Sequence, residues 1–315
     1  MGHGLIRVGT RKSQLALTQT HQVIAILQGL CPGQEFEVKT ISTAGDRSTD
    51  HAAFFDHQGI FVKEIEEALL RGDIDLGIHS LKDMPCDIKA GLELGAVSAR
   101  LEARDAFLTR DGVTFKEMKP GARIGTSSVR RRAQVLLARP DLQVVDMRGN
   151  VDTRLRKLQS GEVDGIIIAC AGLMRLGFEQ QITECMPLDV MLPAPCQGVL
   201  ALEIRCDDTR SKDVVRKFNH PATYACITAE RTFLKTLGGG CSLPVGALAT
   251  VDGETLTLTG QVVDPDGKRK VQDCLKGFLD QAADTGKRLA EQLVEKDGPW
   301  IKGVLQSPYP KRMES

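Results

Sequence analysis

Residues 142–177 read LQVVDMRGNVDTRLRKLQSGEVDGIIIACAGLMRLG. LQVVDMRG opens as a β-type run, VDTRLRKLQSG follows with helical spacing, GIIIACAG is a second β-type run, and LMRLG begins another helix. Strand, helix and strand in direct succession are the sequence form of parallel strands joined by crossover helices. This stretch therefore predicts an α/β fold.

The same alternation extends upstream. LIRVGT, EFEVKTIS, DLGIHS, LGAVSA and ARIGT read as strands, while SQLALTQTHQVIAILQGL, FVKEIEEALLRG and VRRRAQVLLARP read as helices. In the first of these helices Leu15, Val23, Ile26 and Leu27 share a face. After about residue 220 the pattern changes: PATYACITAERTFLKTLGGG is a helix stopped by glycine, and PVGALATV, TLTLTGQVV and RKVQDCLKG alternate around the turn signals DGE and DPDGK. That combination predicts an antiparallel meander, closed by a helix over LDQAADTGKRLAEQLVEK. The polar stretch 42–59, STAGDRSTDHAAFFDHQG, lacks periodicity and reads as a functional lid or a disordered loop.

Composition excludes several classes. The 315 residues, 42% hydrophobic, are enough for two or three domains with cores. Lys+Arg and Asp+Glu both number 41, so no global field draws the chain to nucleic acid or to an anionic membrane. No run approaches the roughly 20 apolar residues of a membrane span, and the N-terminus lacks the shape of a signal peptide, so a cytoplasmic location is expected. The nine cysteines are odd in number, irregularly spaced and without a Cys-x-x-Cys pair, which argues against a disulfide framework and against a zinc site. No metal is expected. Cys170 and Cys226 read as small buried hydrophobes.

The informative charges are local. Arg11 (GTRKS), Arg130 and Arg131 (GTSSVRRR), Arg148 and Arg154 (MRGNVDTRLRK) and Arg175 (ACAGLMRLG) each follow a predicted strand and open a helix. Free N–H groups and a partial positive charge at a helix start, with Ser or Thr hydroxyls beside them, make such junctions anion sites. In an open α/β sheet several of them can meet in one cleft. About six convergent cations in a neutral chain call for a polyanionic ligand, carboxylate or phosphate. Arg132, Arg156 and Lys157 read as solvated helix faces. Nucleic acid fits less well, since no aromatic residues interleave with the arginines to stack bases. Two-lobed capture of a polycarboxylate without chemistry remains open on cations alone.

Two further features carry chemistry. In IHSLKDMP, residues 78–85, Lys82 and Asp83 precede Met84-Pro85 on a loop after a strand. Spacing alone favours an ion pair between Asp83 and one of the arginines, and a structural place for His79. In LKTLGGGCSLPVG, residues 234–246, Cys241 stands behind three glycines; core filler, metal ligand and nucleophile are all open.

RVGTRKSQLAL, STAGD, GIFVKEIEEALL, HSLKDMP, GTSSVRRRAQ, RGNVDTRLRKL, ACAGLMRLG and AERTFLKTLGGGCSLPVGA, with PAPCQGVLALEIR less closely, resemble in order the porphobilinogen deaminase (hydroxymethylbilane synthase) family. The resemblance implies a transferase of tetrapyrrole (haem) biosynthesis. Four porphobilinogen molecules lose ammonia and join head to tail on a covalent dipyrromethane cofactor, and hydroxymethylbilane is released by hydrolysis. Each pyrrole carries an acetate and a propionate, so the growing chain is a polyanion. By motif, Asp83 would be the catalytic carboxylate that assists amine loss and stabilises an azafulvenium cation. Arg11, Ser13, Gln19, Lys82, Arg130, Arg131, Arg148, Arg154 and Arg175 would hold carboxylates, Ser80, Thr126, Ser127, Ser128 and Asn150 would add hydrogen bonds, and Phe61 and Gln197 complete the binding set. Cys241 would anchor the dipyrromethane through a thioether.

For the fold, the resemblance implies two periplasmic-binding-protein-like lobes with mixed, mainly parallel sheets and a small C-terminal α+β domain. The expected division is 1–97 with 202–218, 98–201, and 219–315 carrying Cys241. A monomer is expected, acting on porphobilinogen without nucleic acid or membrane. Gln58 stands where many members have lysine, and Cys196 and Ala201 stand where small glycines are usual.

Overall fold

A computed structural model describes residues 4–43, 62–239 and 243–306. They separate into two units, Met1–Leu101 with Gly198–Tyr224 and Glu102–Gln197 with Ala225–Ser315.

In the first unit, β1 (Ile6–Arg11), β2 (Phe36–Ile41), β3 (Leu76–Ser80) and β4 (Leu92–Val97) share a sheet with a strand from much later in the chain, β10 (Leu200–Arg205). The order is β2-β1-β3-β10-β4. β1 pairs in parallel with β2 and β3, and β10 runs antiparallel to β3 and β4. The helix Gln14–Leu30 starts where the Ser13 side chain accepts the Ala16 N–H at 3.3 Å, a cap that replaces a missing backbone acceptor. It buries Val23, Ile24 and Leu27 in one cluster with Val8, Ile78 and Leu202. Ile26, expected on that face, is 51% exposed: three residues past Val23 it falls on the outer flank, and Ile24 takes its place. On another cluster the helix Lys63–Leu70 packs Ile65, Ala68 and Leu69 with Ile74 and Leu92. Strands covered by helices can be buried along nearly their whole length, as β3 is apart from its last residue.

The second unit contains β5 (Asp105–Thr109), β6 (Arg123–Gly125), β7 (Gln143–Val145), β8 (Gly165–Ala169) and β9 (Glu184–Cys185) in the order β7-β6-β8-β5-β9. β6 pairs in parallel with β7 and β8, while β5 is antiparallel to β8 and β9. All five residues of β8 are buried. Helices Val129–Ala138, Val151–Gln159 and Cys170–Arg175 follow β6, β7 and β8. Each five-stranded sheet is mixed, as expected. In each, the antiparallel pairs are made through one strand, β10 or β5, that the sequence pattern does not expose.

The C-terminal part of the second unit forms a sheet of its own. β11 (Val245–Asp252), β12 (Thr255–Val263) and β13 (Lys270–Phe278) make the expected antiparallel meander. Helix Ala282–Gln306 approaches helix Pro221–Thr236 so closely that a Cβ on Gly286 would lie 2.2 Å from the Ala229 carbonyl oxygen. Among the described residues no helix is long and apolar enough to cross a membrane.

Asp75 ties the first unit together. Its carboxylate accepts from the Arg7 backbone N–H at 3.0 Å, from Arg7 Nε and Nη2 at 2.9 and 2.7 Å, and from Arg205 Nη2 at 3.0 Å. Burial alone would raise its pKa, but the Arg7 and Arg205 hydrogen bonds outweigh this and lower it from 3.8 to about 2. A depressed folded-state pKa contributes stability above the unfolded value that is lost as pH falls through the folded one. The stability gap between wild type and Asp75→Asn in urea is therefore full above about pH 5 and shrinks from about pH 4 toward about pH 2. A gap independent of pH across that window contradicts this account of Asp75.

Candidate active site

Parallel strands bring their carboxyl ends to one edge, and the candidate residues lie at those ends. In the first unit β1 ends at Arg11, just before the capping Ser13, and β3 ends at Ser80. A single 3-10 turn, Leu81–Asp83, follows, held by the Leu81 N–H to Val199 carbonyl bond at 3.0 Å and the Met84 N–H to Leu81 carbonyl bond at 3.1 Å. Leu81 and Met84 are buried, while Lys82 and Asp83 between them are half-buried. The turn thus anchors two apolar side chains and presents two charged ones. Among the described residues no hydrogen bond or ion pair engages the Asp83 carboxylate, so the ion pair with an arginine that spacing favours does not occur there.

Gln19 is buried and its side-chain amide bonds the Ser80 hydroxyl at 3.1 and 3.2 Å. It braces the end of β3 next to the Lys82–Asp83 turn. His79 points inward, with Nε2 3.0 Å from Glu203 Oε2, both side chains buried.

In the second unit Thr126, Ser127 and Ser128 follow β6, Arg148 and Asn150 follow β7, and Arg175 ends the short helix after β8. The loops after β6 and β7 share one edge with the start of the helix after β8, because β6, β7 and β8 are mutually parallel; Arg175, expected to open that helix, ends it instead. The Ser128 side chain caps its helix by accepting the Arg131 N–H, and Asn150 caps the next by accepting the Thr153 N–H at 3.0 Å. The Ser127 hydroxyl donates to the Met147 carbonyl at 2.6 Å, linking two of the loops. Thr126 is buried and accepts the Ser128 N–H at 3.2 Å. Gly149 has φ of +114°, and a Cβ there would lie 2.6 Å from Thr153 Cγ2, so the turn that presents Arg148 and Asn150 needs glycine.

Arg130 and Arg131 are turned inward. Arg130 Nη1 donates to Asp105 Oδ2 at 2.7 Å and to the Leu192 carbonyl at 2.8 Å. Arg131 donates Nε and Nη2 to Asp105 Oδ1 at 3.0 and 2.7 Å. Gln197 Nε2 donates to the same oxygen at 2.9 Å and to the Ala103 carbonyl at 2.7 Å. Asp105 is fully buried; burial would raise its pKa, yet the two guanidiniums and Gln197 hold it well below the usual carboxylate range. Sequence reasoning missed Asp105, whose only trace is one carboxylate at the head of the apolar run DAFLT. Cys196, beside Gln197, adopts φ of +65°, the region glycine favours.

Arg154 and Arg175 remain as half-buried cations. Burial lowers both pKa values to about 10, for Arg154 with a further contribution from the charge of Arg131. Among the described residues the Arg154 guanidinium makes one hydrogen bond, from Nε to the Gly149 carbonyl at 2.9 Å. Arg148 Nε stands 3.3 Å from Asp146. A partly desolvated cation favours an incoming anion, so this edge suits a carboxylate ligand. Phe61, Cys241 and Gln58 lie outside the described residues, as does most of the expected lid.

An α/β protein with arginines at and after its strand ends is the class these features define. Residues 6–213 match the family description "Porphobilinogen deaminase, dipyromethane cofactor binding domain" and residues 224–295 match "Porphobilinogen deaminase, C-terminal domain". The chain belongs to the porphobilinogen deaminase family and carries its dipyrromethane-binding domain. It is 45% identical over 309 residues to the porphobilinogen deaminase of Trichlorobacter lovleyi, covering 98% of both chains. The enzymes of that name from Geobacter metallireducens and Thermus thermophilus are 47% and 45% identical, over 92% and 96% of this chain and 91% and 99% of theirs.

The Asp105 node yields a direct test. Asp105→Asn leaves two buried guanidiniums without their counter-charge, and breaking such a pair removes about 3–5 kcal/mol of stability in urea unfolding. A loss under about 1 kcal/mol would show that the arginines do not depend on it.

Proposed function

We propose that this chain is a hydroxymethylbilane synthase: it joins four porphobilinogen molecules head to tail with loss of ammonia and releases the linear tetrapyrrole by hydrolysis. The observation that carries the chemistry is Asp83, a half-buried carboxylate fixed by a one-turn anchor and without a protein partner among the described residues. A structural ion pair would leave no free carboxylate for substrate.

In this reading Asp83 accepts hydrogen bonds from pyrrole N–H groups and stabilises the positive charge that develops as the amine leaves. At about 4 Å and an effective dielectric near 20, one opposite charge contributes roughly 4 kcal/mol, about a thousandfold in rate. Arg11 and Lys82 on the first unit, and Arg148, Arg154 and Arg175 on the second, bind the acetate and propionate groups. Ser13, Ser80, Thr126, Ser127, Ser128 and Asn150 shape the loops and supply further polar contacts. Gln19 and Gln197 brace the segments that carry these groups, and Arg130 and Arg131 add positive potential from within.

The dipyrromethane, when bound, supplies the pyrrole carbon that accepts the first unit. Cys241 would hold it through a thioether: a thiolate is a soft nucleophile suited to a carbon electrophile, and glycine carries no side chain to crowd an attached ring. The proposal divides the chain as 1–97 with 202–218, 98–201 and 219–315, with Cys241 on the last, and describes a cytoplasmic monomer.

Asp83→Asn protein folds normally and turns porphobilinogen over about a thousandfold more slowly, followed by ammonia release. Near-wild-type turnover would remove Asp83 from the chemistry. Intact-mass measurement of the full chain shows an excess of two linked pyrroles in wild type and the bare sequence mass in Cys241→Ser. Retention of the excess in the variant would place the attachment elsewhere.

A further inference from the structure

Two thiols with no part in the anion sites meet inside the second unit. Cys170 Sγ lies 3.4 Å from Cys185 Sγ. Cys170 directly follows Ala169, which pairs with Asp105, and Cys185 pairs with Ala106 from the two-residue edge strand β9. The sulfurs therefore approach across β5, next to the Asp105 node. Fifteen residues separate them in sequence, so no cysteine motif announces the pair.

Their environments differ in a way that orders a reaction. Cys185 is half-buried and Cys170 is buried, so a small solute reaches Cys185 first. Arg104 accepts the Cys170 N–H through its carbonyl at 3.1 Å, and its guanidinium acts electrostatically on both sulfurs. The thiolate is the reactive form of cysteine. Burial and the neighbouring thiol raise the Cys170 pKa, which suits it to a second, resolving step rather than to first attack.

We propose that Cys170 and Cys185 form an oxidative modification site, at which a small peroxide converts the pair reversibly into an intramolecular disulfide. The Cys185 thiolate attacks one peroxide oxygen and the O–O bond breaks, leaving a sulfenic acid and, after protonation, one water. The Cys170 sulfur then attacks the Cys185 sulfur; the S–O bond breaks, and the hydroxyl leaves as a second water with the Cys170 proton. Two thiols and one hydrogen peroxide become one disulfide and two waters, with the sulfurs oxidised by two electrons in all and the peroxide reduced by two. The S–S bond needs about 2 Å, so the sulfurs must approach by just over about 1 Å. The short edge strand β9, held on one side only, can supply that movement.

The test exposes the purified full-length protein to graded hydrogen peroxide, alkylates it in denaturant and maps its peptides by mass. A peptide pair joined through Cys170 and Cys185 appears, lighter by two hydrogens than its two parts, and vanishes with dithiothreitol. Cys185→Ser protein gives no such pair and keeps Cys170 alkylatable. Advance of Cys185 to sulfinic acid with Cys170 still alkylatable in wild type overturns the proposal. So does an unmodified pair at peroxide levels that oxidise the exposed Cys206 and Cys274.

Discussion

A carboxylate removed from water must be answered by charge or be neutralised, and Asp105 imposes that demand on the whole second unit. It is met by Arg130 and Arg131 from one helix and by Gln197 from a distant segment, all within 3.0 Å. The node sets where β5 sits beside β8 and where the helix after β6 begins. It also keeps two guanidiniums inside a domain whose exposed edge is already cationic. Mutual repulsion along that edge would oppose folding if the buried pair lacked its anion.

The first unit solves a related problem differently. Asp75 gathers Arg7 and Arg205 on the structural side, whereas Asp83 is held by backbone and apolar anchors and makes no ion pair among the described residues. Two carboxylates in one unit thus have opposite fates, set by whether a guanidinium reaches them. The difference separates a group that stabilises the fold from one able to act on a ligand.

Much of this was legible in sequence because the strand–loop–helix junctions carry their own signals. Ser13, Ser128 and Asn150 cap helices where the pattern puts the helix starts, and the β7 and β8 runs appear where β-branched residues cluster. β10 was not legible: LALEIR contains good helix formers, and its Glu203 is fully buried against His79, a contact that only tertiary pairing creates. β5 was hidden for the same reason, since DAFLT is short and its leading aspartate mimics a loop residue. The arginines announced positive charge but not direction. Arg130 and Arg131 face Asp105, whereas Arg154 has only a backbone acceptor among the described residues, and adjacent arginines look alike until burial is known.

In the proposed function the cationic strand ends hold a growing polycarboxylate that stays covalently joined to the protein. Intact-mass spectra taken within a single turnover after adding limiting porphobilinogen test it most directly. The account predicts a ladder of protein masses separated by equal steps, each step one porphobilinogen less one ammonia, that collapses to the starting mass when product is released. A starting mass that never moves while linear tetrapyrrole accumulates in solution would contradict it.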